Sequence, residues 1–233
     1  MNKESLKLSL ESRGLNVSDQ QIQMLIILMH KTLETNEKFN LTAIKDEETF
    51  LEKMIFDSAL ALVENDYTDK KVLDLGTGAG FPGLVMYILN PKIKLTLLDS
   101  TKKKIDYLMD FCRDFDFKID CICVRAEDFA RTNIEKFDVV VSRAVSELNI
   151  LMELSMPILK VGGILSALKA KGVEQEIANA KNAFKKLDCH LEKIYEDSLP
   201  VCQEYRAIIT IKKDKATNKK YPRSFGDIKD KPL

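Results

Sequence analysis

No stretch of this sequence approaches the about 20 consecutive apolar residues that a membrane span needs. The longest apolar run, Met24 to Met29, is far too short. The first residues carry Lys3, Glu4 and Lys7 in an amphipathic pattern, without an apolar signal region or a small-residue cleavage site, so a cytoplasmic location is expected. Histidine is scarce: His30 and His190 fall in helix-like and strand-like patterns, and neither marks a catalytic couple. There are five cysteines, an odd number, and no C-x-x-C pair. That argues against a disulfide framework and against a standard zinc site, and no metal is expected. Cys121 and Cys123 lie in a strand-like run, so both should face one side of a sheet; they read as small buried hydrophobes.

Net charge is also missing. Lysine plus arginine total 36 and aspartate plus glutamate total 36, which excludes a strong overall attraction to nucleic acid. The local balance differs. Between Lys212 and Arg223 stand six basic residues and one acid, Asp214. Such a tail can bind phosphates, and it can equally be solvated chain.

What is present suits one domain with extensions. A chain of 233 residues can remove roughly 70% of its unfolded surface from water. The first third reads as helical. Ser18 to Gln21 forms a capping box, and Ile22, Leu25, Ile26, Met29 and Leu33 follow at helical spacing. That helix ends near Asn36, and a second runs from about Glu47 to Val63. From Lys71 onward short apolar runs alternate with amphipathic segments. Strands are expected at Lys71–Leu75, Lys94–Leu98, Asp120–Val124, Asp138–Val141, Ile164–Leu168, about Leu191–Asp197 and Arg206–Ile211. Helices are expected at Pro82–Leu89, Lys102–Phe115, Glu147–Met156 and Val173–Leu187. This alternation predicts an α/β fold, a mainly parallel sheet covered on both faces. The last two strands lack a helix of length between them, so one should run antiparallel. The tail after Lys213 shows no core-forming run.

The main chemical signal is Val72-Leu-Asp-Leu-Gly-Thr-Gly-Ala-Gly-Phe-Pro-Gly83. A buried strand enters a glycine series, and a helix opens at Pro82, as proline in the first helical turn allows. The first β–α turn of a doubly wound sheet is where a nucleotide-like ligand sits. Gly78, Gly80 and Gly83 match the dinucleotide fingerprint in letter, but three features point elsewhere. Asp74 lies two residues before Gly76, where a carboxylate repels a pyrophosphate and attracts a sulfonium. The tight turn comes first at Gly76, which displaces the dinucleotide register. Asp99 ends the next strand, nineteen residues after Gly80, and suits two ribose hydroxyls. Asp99 supports a nucleoside of either cofactor, since NAD-binding chains share it; Asp74 and the displaced register favour S-adenosylmethionine, with S-adenosylhomocysteine as product. The bland reading is that Asp74 caps a turn and Asp99 caps the following helix.

After the third strand, Val124-Arg-Ala-Glu127-Asp128 could read an adenine edge, or its acids could open a short helix. The fourth strand ends in Ser142-Arg143-Ala144. Arg143 could bind the cofactor carboxylate or a substrate phosphate, or be an ordinary surface arginine. No cysteine nucleophile accompanies it. Methyl transfer to a bare lone pair needs no general base, and alignment alone can supply ~7–11 kcal/mol of the barrier reduction.

The segments Asn36-Glu-Lys-Phe-Asn-Leu-Thr-Ala-Ile44, Asp74 to Gly83, Leu97-Leu-Asp-Ser100, Ser142-Arg-Ala144, Ala167-Leu-Lys169 and Lys220-Tyr-Pro-Arg223 occur in this order. The chain thereby resembles the RsmG (GidB) family, bacterial small-subunit ribosomal RNA guanine-N(7) methyltransferases. The resemblance implies a Rossmann-like class I methyltransferase with a seven-stranded, mostly parallel sheet. About 1–66 would be a helical N-terminal extension, 67–213 the core and 214–233 a basic tail. It implies that the cofactor contacts Asp74, Gly76, Gly78, Gly80, Phe81, Asp99, Ala126, Glu127 and Arg143. Arg143 and Lys169 become positioning candidates. Lys38, Asn40, Lys169, Lys219, Lys220 and Arg223 become candidates for RNA contact, and the partner is small-subunit ribosomal RNA or the small ribosomal subunit. A monomer is expected. The family's tail often reads Lys-Tyr-Pro-Arg-Lys-Pro-Gly, whereas here Arg223 is followed by Ser-Phe-Gly226, with one basic residue and one proline fewer. Guanine N(7) carries a free lone pair, consistent with a site that lacks a base.

Three other readings stay open on residues alone: a methyltransferase for a small molecule or protein, a dinucleotide-dependent oxidoreductase, and a binding module that keeps the loop as a scaffold. Basic residues clustered around the cleft would favour RNA, and an enclosed apolar pocket a small molecule.

Overall fold

A computed structural model describes residues 1–233. Seven strands form one sheet in the order β3-β2-β1-β4-β5-β7-β6. They are β1 (Lys71–Leu75), β2 (Lys94–Asp99), β3 (Asp120–Cys123), β4 (Phe137–Arg143), β5 (Leu159–Lys169), β6 (Cys189–Ser198) and β7 (Tyr205–Lys213). The first five pair in parallel, and β7 runs antiparallel between β5 and β6. The expected reversal is therefore present, and β7 supplies it. Strand order reverses between β1 and β4, so a crevice opens beyond their carboxyl ends.

Alternate residues of the central strands enter opposite cores, because side chains alternate along a strand. Val72, Val139 and Val141 join one buried cluster, while Leu73, Leu75 and Val140 join the other. The first cluster is completed by α1 (Lys3–Glu11), α2 (Asp19–Asn36) and the sheet-covering helices α5 (Gly83–Leu89) and α6 (Lys102–Asp114). Leu6, Leu10, Leu25 and Leu28 are fully buried there, so the N-terminal helices share a core with the sheet. The capping box at Ser18 forms as expected: its hydroxyl accepts from the Gln21 N–H, and the Gln21 carboxamide oxygen accepts from the Ser18 N–H. The same Gln21 amide donates to the carbonyls of Ile88 and Leu89, closing the end of α5.

The helix expected from Glu47 is not uniform. It starts as α3 (Glu47–Phe50), widens into a π-helical stretch (Leu51–Phe56), and continues as α4 (Asp57–Ala59) and a 3₁₀ turn. Such π segments frequently mark functional sites. On the other face lie α7 (Ala126–Thr132), α8 (Leu148–Ser155), α9 (Val173–Asn179) and α10 (Lys181–Lys186). The single helix expected at Val173–Leu187 is thus two, joined at buried Ala180. Strand β5 begins five residues earlier than expected, at Leu159 rather than Ile164. Gly162 (φ +81°) and Gly163 form an irregularity within β5, across which it stays paired with β4.

Two expectations fail. The tail does carry core residues: Tyr221, Ile228 and Leu233 are buried in the second cluster, and α11 (Phe225–Asp230) docks on α8. Cys123 is exposed rather than buried, because β3 is the sheet's edge and its outer end is uncovered; Cys121 is half-buried.

Candidate cofactor cleft and the basic cavity beside it

The glycine loop is built by its neighbours. The Leu98 carbonyl accepts from the N–H groups of Gly76 (2.8 Å) and Thr77 (3.0 Å), which bends the chain as it leaves β1. Gly76 sits at φ +73°, and a Cβ there would lie 2.5 Å from Val145 Cγ2. Both the backbone and the close approach exclude a side chain at this position. Gly83 answers a different need: a Cβ would lie 2.7 Å from Asp74 Oδ2, so helix α5 could not pack so near β1.

Asp74 is fully buried. Its Oδ2 accepts from Thr77 Oγ1 (2.6 Å) and the Gly83 N–H (2.7 Å), while Oδ1 has no partner. Burial raises its carboxyl to about 6, against those two hydrogen bonds. It braces the loop from beneath. Asp99 ties the loop from the side: Oδ2 accepts from Gly78 N–H (3.0 Å) and Oδ1 from Thr101 N–H (2.8 Å). The capping role and the ligand-facing role coexist, since a carboxylate has about four acceptor sites and Asp99 also lines the cavity.

That cavity, about 490 Å³, opens beyond the carboxyl ends of β1, β2 and β3. Gly76, Asp99, Ala126 and Glu127 line it, as expected from sequence. Asp74, Gly80 and Phe81 are buried behind the loop rather than on the cavity wall, and Gly78, half-buried on the loop, is tied to Asp99 through its N–H. A Cβ on Gly80 would meet Leu84 at 2.5 Å, and Phe81 is buried edge-on against Phe50.

A second cavity of about 580 Å³ shares Ala144, Val145 and Ser146 with the first. Ala144 adopts φ +55°, which turns the chain sharply after β4. Arg143 lines this second cavity, not the first. It is largely buried: its guanidinium donates to the Lys53 carbonyl (2.9 Å) in the π segment, lies 3.4 Å from Asp57 Oδ2 and stands over the Phe81 ring. Asp57 is shared, since Arg206 Nε lies 3.1 Å from its other oxygen. Burial pushes the Asp57 carboxyl up against the pull of the two guanidiniums. Lys169 donates to Ser146 O (2.7 Å) and Glu176 (2.6 Å), so it pins the segment that separates the cavities. Lys53, Arg143, Lys169, Lys171 and Arg206 give this lining five cations against Asp57, Glu147 and Glu176.

Of the residues expected to meet RNA, Lys169 alone lies there. Lys38 pairs with Glu34 and lines a different groove, between α2 and α6. Asn40 is exposed on the following loop, whose backbone is held instead by Asn36 Oδ1, an acceptor from Leu41 and Thr42. Lys219 and Lys220 are exposed, with Lys220 over the Tyr221 ring. Arg223 is a correction. It donates from Nε (2.8 Å) and Nη2 (2.6 Å) to Glu153, a fully buried carboxylate on α8. A guanidinium committed to a buried partner anchors the tail and is not free for phosphate. Lys213 is likewise buried, donating to Glu135, Met156 O and Leu159 O. The excess charge counted in the tail is therefore partly structural.

The sequence reading missed Arg125, Phe225 and Lys229 on the first cavity, and Lys53, Asp57, Lys171 and Arg206 on the second. One signal was available. Ser224-x-x-Asp227 is a helix-opening box, and Ser224 Oγ does accept from the Asp227 N–H. Arg206 carries no local signal, because its partner Asp57 is 149 positions away.

Comparison with known proteins adds to this geometry. A family model described as rRNA small subunit methyltransferase G matches residues 21–208. The Ribosomal RNA small subunit methyltransferase G of Alkaliphilus metalliredigens is 36% identical over 100% of this chain and 99% of its own length. That of Oceanobacillus iheyensis is 34% identical over 100% of both. Among solved structures, M. jannaschii TYW2 in complex with AdoMet superposes with a TM-score of 0.57, covering 75% of this chain and 80% of that one. At 12% identity it shares the fold alone.

Proposed function

The chain belongs to the rRNA small subunit methyltransferase G family, and from that premise we propose that it methylates N(7) of a guanine in small-subunit ribosomal RNA, taking the methyl group from S-adenosylmethionine bound in the cavity beside Gly76. The observation that carries this reading is the pair of adjoining cavities. One presents Gly76, Asp99, Ala126 and Glu127; the other presents five cations. They meet at Ala144–Ser146.

The residues present fit the cofactor. Gly76 admits close approach, Asp99 offers acceptors to ribose hydroxyls, and the buried negative charge at Asp74, with one oxygen unpaired, favours a cation above the loop. When bound, S-adenosylmethionine supplies a methyl group activated on a sulfonium. The chain's own residues then hold and orient. Asp99 fixes the nucleoside end. Lys169 sets the segment between the cavities through Ser146. Lys171 offers an unpaired cation, and Lys53, Arg143 and Arg206, though paired with Glu204 and Asp57, leave the wall with a positive balance toward a polyanionic substrate. No group is positioned as a base, and none is required, because N(7) of guanine has a free lone pair. A cleft lined by cations supports RNA over a small apolar molecule. No helix is long and apolar enough to cross a membrane, and action on ribosomal subunits in the cytoplasm is part of the same proposal.

The test is to incubate the purified chain with methyl-labelled cofactor and small ribosomal subunits from cells that lack the endogenous enzyme, then map label by nucleotide. Label on a single guanine, lost with Asp99→Ala, is the expected result. Cofactor binding with no label in naked RNA or subunits at any assembly stage would move the substrate elsewhere.

A further inference from the structure

The cofactor cavity has an outer wall that does not come from the sheet. Phe225 and Lys229, on the tail helix α11, line it together with Asp99, Val124 and Ala126. Phe225 is 38% exposed, an unusual state for a phenyl ring on a six-residue helix otherwise held by a buried Ile228. Its position is nevertheless imposed. The Arg223–Glu153 pair anchors the helix at one end. Leu233 is buried at the other, its carbonyl accepting from Asn149 (3.3 Å). The Arg125 guanidinium lies over the Phe225 ring, 5.2 Å from its centroid.

We propose that Phe225, backed by Arg125, is the stacking wall for the adenine ring of the cofactor, so that the C-terminal helix forms part of the cofactor site. This rests on the reading that the cavity takes S-adenosylmethionine. The argument is geometric. Asp99 sets the ribose end. The next stretch of lining, Val124 and Ala126, is small and apolar, and Phe225 lines the same cavity. A flat π surface suits that slot. A guanidinium on the ring supplies a cation–π contact that holds it. Apolar rings left at a rim carry contact area for a partner, and a purine has the shape and polarisability to use it.

Aromatic stacking on a base is sequence-tolerant, strong enough to measure, and lost on truncation. Phe225→Ala is expected to weaken binding of S-adenosylmethionine, S-adenosylhomocysteine and adenosine alike by about tenfold, which is about 1.4 kcal/mol. Titration calorimetry on the full chain reads all three. The chain contains no tryptophan, so Phe225→Trp places a single indole at the wall. Its fluorescence should be quenched saturably by adenosine, with the calorimetric Kd. Unchanged affinity in Phe225→Ala, or an unquenched indole while calorimetry registers binding, would overturn the proposal and leave the cofactor reading standing. A loss confined to S-adenosylmethionine, with adenosine unaffected, would overturn it too, by placing the ring at the methionine end. A wild-type chain that binds none of the three would sink both.

Discussion

Arg223 distinguishes an anchored tail from an RNA-reading tail, and Arg223→Ala tests which it is. In the folded chain Glu153 is fully buried and receives three hydrogen bonds, all from Arg223: its N–H (3.0 Å), Nε (2.8 Å) and Nη2 (2.6 Å). Truncation leaves the carboxylate with the backbone N–H alone. Breaking a buried pair by removing one partner costs about 3–5 kcal/mol. The Arg223 side chain is 25% exposed, so water can reach part of the site and the lower end, about 3 kcal/mol, applies. In a domain of this size each kcal/mol moves the midpoint by about 2–4 °C, which gives a fall of about 6–12 °C. Scanning calorimetry measures it, and hydrogen exchange should show protection lost first around Tyr221 and Ile228. Replacing both partners, Arg223→Met with Glu153→Leu, should restore most of the midpoint, because the desolvated charge disappears with its partner. If the single variant melts with wild-type while RNA affinity drops, the arginine reads phosphate after all and the structural argument is wrong.

Other outcomes follow from the same geometry. Asp74 has a folded pKa of about 6 against an unfolded 3.8. The native state therefore holds an extra proton between those values, and stability falls as pH rises from about 4 to about 6, then stays lower. Asp74→Asn keeps an acceptor for Thr77 and Gly83, so it should stabilise the free protein by on the order of 2 kcal/mol at pH 8 and by little at pH 4. Urea titrations at both pH values check this, and equal gains would refute it. The same variant should lose more affinity for the sulfonium cofactor than for its neutral product. Gly83→Ala would put a Cβ 2.6 Å from Leu97 Cδ2 as well as against Asp74; the expected cost is about 1–3 kcal/mol, read from the denaturation midpoint. Lys169→Met should leave cofactor Kd within about twofold, since Lys169 does not line that cavity. It should lower kcat/KM on ribosomal subunits by about 10–100-fold, about 1.4–2.7 kcal/mol. A parallel loss of cofactor binding would show that the segment at Ser146 serves the first cavity instead.

How much of this was legible depends on the sequence distance between partners. Strand–helix alternation and the glycine series are local patterns, so β1 to β5, the reversed final strands, the loop that carries Gly76 and the acid Asp99 that ends β2 were all readable. So was the Ser18 box, which closes within four residues. Family resemblance named the same loop, and the full-length relatives carry the name of that family. The misreadings share a cause. The start of β5 at Leu159 went unread because its pairing with β4 spans an irregularity at Gly162 and Gly163. Arg223 looks like a free cation unless Glu153, seventy residues earlier, is known to be buried behind it. Asp57 looks like one more surface acid in a helix until Arg143 and Arg206 arrive from two strands. Charge counting failed in the tail for this reason: it registers the sign of a side chain but not whether a buried partner has already claimed it. Phe225 is the converse case. A lone aromatic in a polar tail carries no pattern, and its meaning comes from the cavity that α11 happens to close. Ser224 and Asp227 could have announced the helix, but nothing short of the fold could say which wall it forms.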